Sequence, residues 1–197
     1  MNADMLKHWL NALYLDTNNI QKMEQAYVDS VMGSLRLHSF LNDRRFVELE
    51  KYVYKSSGKH EKIADRFSYT TLPFPKELEQ FFSSPEFLSL LSFITKKKFK
   101  TCEISVKKFG HRDYTLLHDS ERLKLGFEFF LDINPMWNPV WGGSLIYRDA
   151  KEELFRVPPA ANAFTLVNRQ KGMHRFVEYV NVKSGNNVRI IVEGKLR

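Results

Sequence analysis

A chain of 197 residues that is 43% hydrophobic and 27% charged has the composition of a folded globular protein and is long enough to enclose a sizeable core, expected as one domain over 1–197. Its lone cysteine, Cys102, excludes an internal disulfide and any cysteine-built zinc site, and fits a reducing, cytoplasmic setting. No apolar run approaches the roughly 18 residues of a membrane span, and the opening MNADMLKHWLNAL lacks the basic-then-apolar order of a secretory signal.

From Met5 to about Tyr54 the apolar residues recur at helical spacing: Met5, Leu6, Trp9, Leu10 and Leu13, then Ile20, Met23, Tyr27 and Val31, then Phe46, Leu49 and Val53. This predicts three helices. The break LRLHSFLND (35–43) reads as a short strand feeding a helix capped by Asn42 or Asp43. KSSGKHEK (55–62) has no apolar residue and is expected to be an exposed loop. LPFPKELEQFFSSPEFLSLLSFIT (72–95) offers two further helix starts, with Pro75 and Pro85 near the first turns. Residues 1–98 are therefore expected to be mostly helical, buttressing the C-terminal half, with a homodimer contact through Trp9 and Tyr14 as an alternative to a monomer.

After Phe99 the period changes from about 3.6 to 2, with Cys102, Ile104 and Val106 alternating against Glu103, Ser105 and Lys107. Further strands are predicted at 114–118, 125–133, 144–147, 163–167, 174–180 and 187–192, separated by Pro, Gly and Asn clusters. Short strands without intervening helices argue for an antiparallel jelly roll over 99–197, and for an α+β whole in which helices flank a mainly β core. Phe127, Phe129, Leu131 and Ile133 read as alternating core positions. Trp137, Trp141, Gly142 and Gly143 read as markers of a tight loop.

An open-mouthed jelly roll can hold a metal between two histidines and a carboxylate, and the chain supplies such residues in order. His118 ends one predicted strand and His174 begins another. Arg189 opens the last, where a guanidinium could grip a carboxylate through two parallel hydrogen bonds. Each has a structural reading beside this one. His118 alone reads as a sheet-edge histidine, Arg189 as the partner of Glu178 or Glu193, and Arg175 is expected to point away from the face that carries His174. The triplet His111-Arg112-Asp113 is read as loop. Lys96, Lys97, Lys98 and Lys100 suit nucleic-acid phosphates, but a solvated surface is the favoured reading.

The segments RDYTLLHD (112–119), FFLDINPMWNPVWGGSLIY (129–147), VPPAANAFTLV (157–167), HRFVEYV (174–180) and RIIVEG (189–194) together resemble the iron(II)- and 2-oxoglutarate-dependent dioxygenases of the prolyl hydroxylase type. The likeness runs from about Leu35 to Arg197 and is greatest to the ribosomal-protein prolyl hydroxylase branch. It implies a double-stranded β-helix, iron ligation by His118 and His174, and Arg189 on the distal carboxylate of 2-oxoglutarate, with ascorbate as a candidate accessory. The implied substrate is a prolyl residue of a protein or peptide.

The sequence also departs from that family. Its first motif is His-x-Asp, whereas Ser120 stands two after His118 and the carboxylate comes one place early at Asp119. Neighbours on an extended strand point to opposite faces, so His118 and Asp119 meet one metal only where the strand ends or bulges. Three outcomes stay open. A turn brings Asp119 or Glu121 to iron, Ser120 leaves a position for water or an anion, or the chain is a non-catalytic relative that binds protein or nucleic acid. A tryptophan common after the last strand's glycine is Lys195 here.

Overall fold

Capping side chains set the helix starts. In the computed structural model, which describes residues 4–30, 32–116 and 125–197, helix α1 spans Asp4–Trp9, α2 Thr17–Asp29 and α3 Asp43–Lys55. The Asp16 and Asn42 side chains accept from the Asn19 and Arg45 backbone N–H groups, each at 3.0 Å. Helix α4 (Lys76–Phe82) starts after Pro75, and α5 (Pro85–Thr95) is capped by Ser84, which accepts from Phe87 N–H at 3.2 Å. Three N-terminal helices and the two proline-led ones match expectation.

The strands are β1 (Ser34–Leu37), β2 (Lys59–Ile63), β3 (Phe67–Leu72), β4 (Cys102–Phe109), β5 (Tyr114–Thr115) and β6 (Gly126–Asp132), followed by β7 (Leu145–Arg148), β8 (Glu153–Val157), β9 (Ala163–Arg169), β10 (His174–Val177) and β11 (Arg189–Leu196). The larger sheet runs β1-β9-β6-β11-β4-β3-β2, with β5 paired to β3, and the smaller runs β10-β7-β8. All pairings are antiparallel, and β11 lies between β4 and β6. The order β4-β11-β6-β9 facing β10-β7-β8 is the winding of a double-stranded β-helix. An α+β jelly roll buttressed by helices is thus the architecture.

Each face of the large sheet has its own core. Toward the helices, Val106, Phe129, Leu131, Phe164, Leu166 and Val192 pack with Phe82, Phe87 and the α3 residues Leu49 and Val53. Toward the small sheet, Phe109, Phe130, Val167 and Ile191 meet Leu145, Tyr147, Val157 and Val177. Burying each such ring or aliphatic group contributes about 1.5–3 kcal/mol, so the ring pairs Phe82–Phe129, Phe40–Phe164 and Trp9–Phe81, at 4.7, 4.2 and 5.2 Å between centroids, tie α4 to β6, the β1–α3 connection to β9, and α1 to α4. Gly194 permits this, because a Cβ there would overlap the Phe129 ring.

Three expectations change. Residues 59–62 of the expected 55–62 loop belong to β2 of the β2–β3 hairpin, because β2 lies at the sheet edge with its side chains largely in solvent and takes its register from β3. Strand β8 was not anticipated. Trp9 is buried under Phe81 and the Arg45 guanidinium, so it offers no dimer surface. Gly142 and Gly143 both adopt positive φ, +75° and +78°, and the Gly142 carbonyl accepts from Trp137 Nε1 at 2.9 Å, as a tight loop requires. No helix among the described residues is long and apolar enough to cross a membrane.

Candidate functional site

The barrel has two ends. At its mouth β6 begins at Gly126, β7 ends at Arg148, β9 ends at Arg169 and β10 begins at His174. At the other end β6 finishes at Asp132, β7 starts and β11 begins at Arg189. Strand alternation decides which side chains enter. On β10, Val177 packs in the inner core and Arg175 reaches inner-face carboxylates, while His174 pairs with Arg148, the neighbour of inward-facing Tyr147. His174 therefore shares the outer face of the small sheet with Phe176, and Arg175 enters the barrel, the reverse of the expected phase. The turn before β10 sets it: Met173 N–H donates to Gln170 O at 3.1 Å and its side chain is already in the inner core.

Arg189 sits at the end opposite the mouth, about 13 Å of strand from Glu193. It is fully buried and so is Asp132. Its Nε donates to Asp132 Oδ1 at 2.9 Å and its Nη2 to Asp132 Oδ2 at 3.1 Å, and Nη1 donates to the Gly143 carbonyl. Asn134 completes the floor, donating to Asp132 Oδ1 and accepting from Ile190 N–H at 2.7 Å. Burial pushes the Asp132 carboxyl above the usual carboxylate range, against the pull of Arg189 and then of Arg36. The expected structural partner of Arg189, Glu178 or Glu193, is thus replaced by Asp132.

The mouth itself is a charged cleft of about 360 Å³ bordered by Ser105, Lys107, Glu128, Arg175, Glu193 and Lys195. Tyr147 donates its hydroxyl to Glu128 Oε1 at 2.7 Å, and Lys107 Nζ donates to Glu193 Oε2 at 2.7 Å. Arg175 Nη1 lies 3.6 Å from both Glu128 Oε2 and Glu193 Oε1, with its guanidinium 4.9 Å over the Phe130 ring. Burial, reinforced by Glu128, raises the Tyr147 hydroxyl well above its usual range, so it stays a donor at neutral pH. At an effective dielectric near 20, each 3.6 Å contact has a gross attraction of about 5 kcal/mol, of which desolvation cancels most.

His118, Asp119 and Ser120 lie outside the described residues. Asp113 of the upstream triplet is a turn cap, accepting from Gly110 N–H at 2.9 Å and from the Ser68 hydroxyl. Among the described residues no three His, Cys, Asp or Glu side chains converge as metal donors. Arg189 has its carboxylate-binding fork occupied by Asp132. The described residues alone therefore fit neither an iron ion nor a 2-oxoglutarate carboxylate. Lys96 pairs with Glu24 at 2.6 Å and is otherwise part of a solvated surface.

The family described as "Oxoglutarate and iron-dependent oxygenase degradation C-term" matches residues 72–195. The chain belongs to this family. Similar relatives are prolyl 3-hydroxylase OGFOD1 of Mus musculus, 33% identical over 86 residues, and that of Xenopus laevis, 34% identical over 94 residues. These matches cover 42% and 44% of the chain but 16% and 18% of the relatives' length. Among solved structures, a Trichoplax adhaerens prolyl hydroxylase in complex with a hypoxia inducible factor oxygen degradation domain peptide aligns over 92% of this chain and 93% of that one, with TM-score 0.69 and 15% identity. A Pseudomonas putida prolyl-4-hydroxylase aligns over 89% and 98%, with TM-score 0.62 and 14% identity. Those two likenesses concern the fold, and agree with the strand order of the family's barrel here.

Sequence reasoning passed over Asp132, Glu128 and Tyr147, and it set Arg175 opposite His174 but gave the inner face to the histidine. A signal existed for the first two. In GFEFFLD the charged residues Glu128 and Asp132 stand two and four places from inward Phe130 or each other, inside a strand otherwise apolar on both faces, and a charge there needs a buried partner.

Proposed function

We propose that the chain takes part in the iron(II)- and 2-oxoglutarate-dependent hydroxylation of a prolyl residue in a protein or peptide, and that its barrel serves this by holding polypeptide. Family membership and relatives named as prolyl 3-hydroxylases support the activity. The peptide complex of a structural neighbour supports a polypeptide ligand. The observation that carries the holding role is the closed Arg189–Asp132 pair: with that fork filled and His174 outside, the described barrel is a charged cleft suited to peptide groups.

Catalysis by this chain is the second reading, favoured by family membership and by the family resemblance of RDYTLLHD, which makes His118 and Asp119 candidate metal donors. In it those two residues supply metal donors, His174 and Arg189 exchange their present environments for the ligand roles the family resemblance implies, and ascorbate assists. When bound, iron with 2-oxoglutarate supplies the oxidising chemistry of the family. A cytoplasmic setting, a protein partner in preference to nucleic acid, and a monomer or homodimer belong to both readings.

One experiment separates them. Proline-containing peptides are titrated into the purified chain with and without chelator, and succinate is measured after adding iron(II) and 2-oxoglutarate. Peptide binding that survives chelation, with no succinate, is the expected result. Succinate formation lost in His118→Ala moves the chemistry into this chain. No peptide binding in either condition removes the holding role.

A further inference from the structure

We infer that the Arg175 guanidinium is the resident cation of the barrel mouth, holding Glu128 and Glu193 together where an oxygenase barrel would otherwise gather donors around a metal. Fold and donor set disagree at this point. The strand order is that of an iron-binding barrel, yet the inward residue at the start of β10 is an arginine, not the neighbouring histidine.

The surroundings fit a cation held from both sides. Glu193 is paired in register with Phe130 and Glu128 with Lys195, so the two carboxylates are diagonal neighbours on the inner faces of β11 and β6. Both are mostly buried, with side chains 14% and 13% exposed, and two like charges so placed repel unless a cation stands between them. Their oxygens divide the work. Glu128 gives Oε1 to Tyr147 and turns Oε2 to Arg175. Glu193 gives Oε2 to Lys107 and turns Oε1 to Arg175. One nitrogen, Nη1, is equidistant from the two inward oxygens at 3.6 Å, and the Phe130 ring under the guanidinium fixes its plane. A guanidinium cannot be deprotonated in this range of conditions and carries its charge permanently, so the mouth keeps its shape with no bound ion. Oxygen ligands of a divalent ion stand only about 2.0–2.6 Å away, so admitting one here requires Arg175 to leave.

The test is a melting-temperature comparison using manganese(II) as the probe. Wild type is expected to melt at the same temperature with EDTA and with millimolar manganese(II). Arg175→Met, which keeps the stem and removes the charge, is expected to melt roughly 6–12 °C lower. Most of that loss should return in Arg175→Met combined with Glu128→Gln and Glu193→Gln. Should Arg175→Met fail to fold, Glu128→Gln/Glu193→Gln with Arg175 intact is expected to be destabilised, and the triple variant to be more stable than it. A manganese-dependent rise in the wild-type melting temperature that Glu128→Gln abolishes overturns the inference, since the carboxylates then serve a metal. An Arg175→Met loss that persists undiminished in the triple variant also overturns it, since the arginine then acts by packing. Peptide binding is scored separately and can succeed or fail with Arg175 in place.

Discussion

Replacing Asp132 by asparagine tests the floor of the barrel most directly. The substitution keeps the side-chain shape but leaves the Arg189 charge, fully buried, without its carboxylate. At 2.8 Å and an effective dielectric near 20 the gross attraction is about 6 kcal/mol, an upper bound. Breaking buried pairs from one side typically costs about 3–5 kcal/mol. With an m-value near 2 kcal/mol/M in urea this predicts a fall in the unfolding midpoint of roughly 2 M. Tryptophan fluorescence reads it, since Trp137 lies against the Gly142–Gly143 loop whose Gly143 carbonyl binds Arg189. The double variant Asp132→Leu/Arg189→Met should recover most of the loss, because replacing both charges removes the desolvation cost as well as the attraction. The reasoning fails if the single variant shifts the midpoint by less than roughly 0.5 M, or if the double variant is as unstable as the single. Added 2-oxoglutarate should leave the wild-type midpoint unchanged; a concentration-dependent rise would show that Arg189 opens to the ligand.

Gly194→Ala should lower stability by about 1–3 kcal/mol by driving a Cβ into the Phe129 ring, with partial recovery in Gly194→Ala/Phe129→Leu, read by thermal melts. Tyr147 has a folded-state pKa raised by burial and then by Glu128, so its contribution is fully present below the unfolded value near 10 and is lost as pH rises toward the folded value. Tyr147→Phe should therefore flatten the alkaline limb of stability against pH above about 10, and an unchanged limb would assign it to other groups. The Cys102 thiol is pushed up to about 12 by burial and by Glu103. Its alkylation at pH 8 should be roughly 100-fold slower than that of a free thiol, after allowing for the greater nucleophilicity of a more basic thiolate. Modification at the free-thiol rate, followed by mass spectrometry, would contradict that burial.

Where apolar period and burial coincide, the chain was legible. Met23, Tyr27, Leu49 and Val53 lie buried at the spacings that marked α2 and α3, and the change of period at Cys102 marks β4. The β2–β3 hairpin was not legible, because Lys59–Ile63 has no buried face and owes its extended form to pairing with β3. The phase of β10 was lost for a related reason. HRFV has a plausible inward residue on either face, and only the buried Met173 and Val177 at four-residue spacing show that the odd positions enter. The Arg189 partner lay far away in sequence, since Asp132 joins it through the pairing of β6 with β11, a relation that no local spacing records.

The position of β11 bears on how the molecule is made. Synthesised after its neighbours, this strand inserts between β4 and β6, which until then each leave a ladder of backbone groups open. A nascent chain halted before Arg189 therefore exposes two long apolar edges at once, a hazard for chain-to-chain pairing. Assembly of the barrel waits on pairings distant in sequence, which places it among slow folders that gain from chaperone cover during translation.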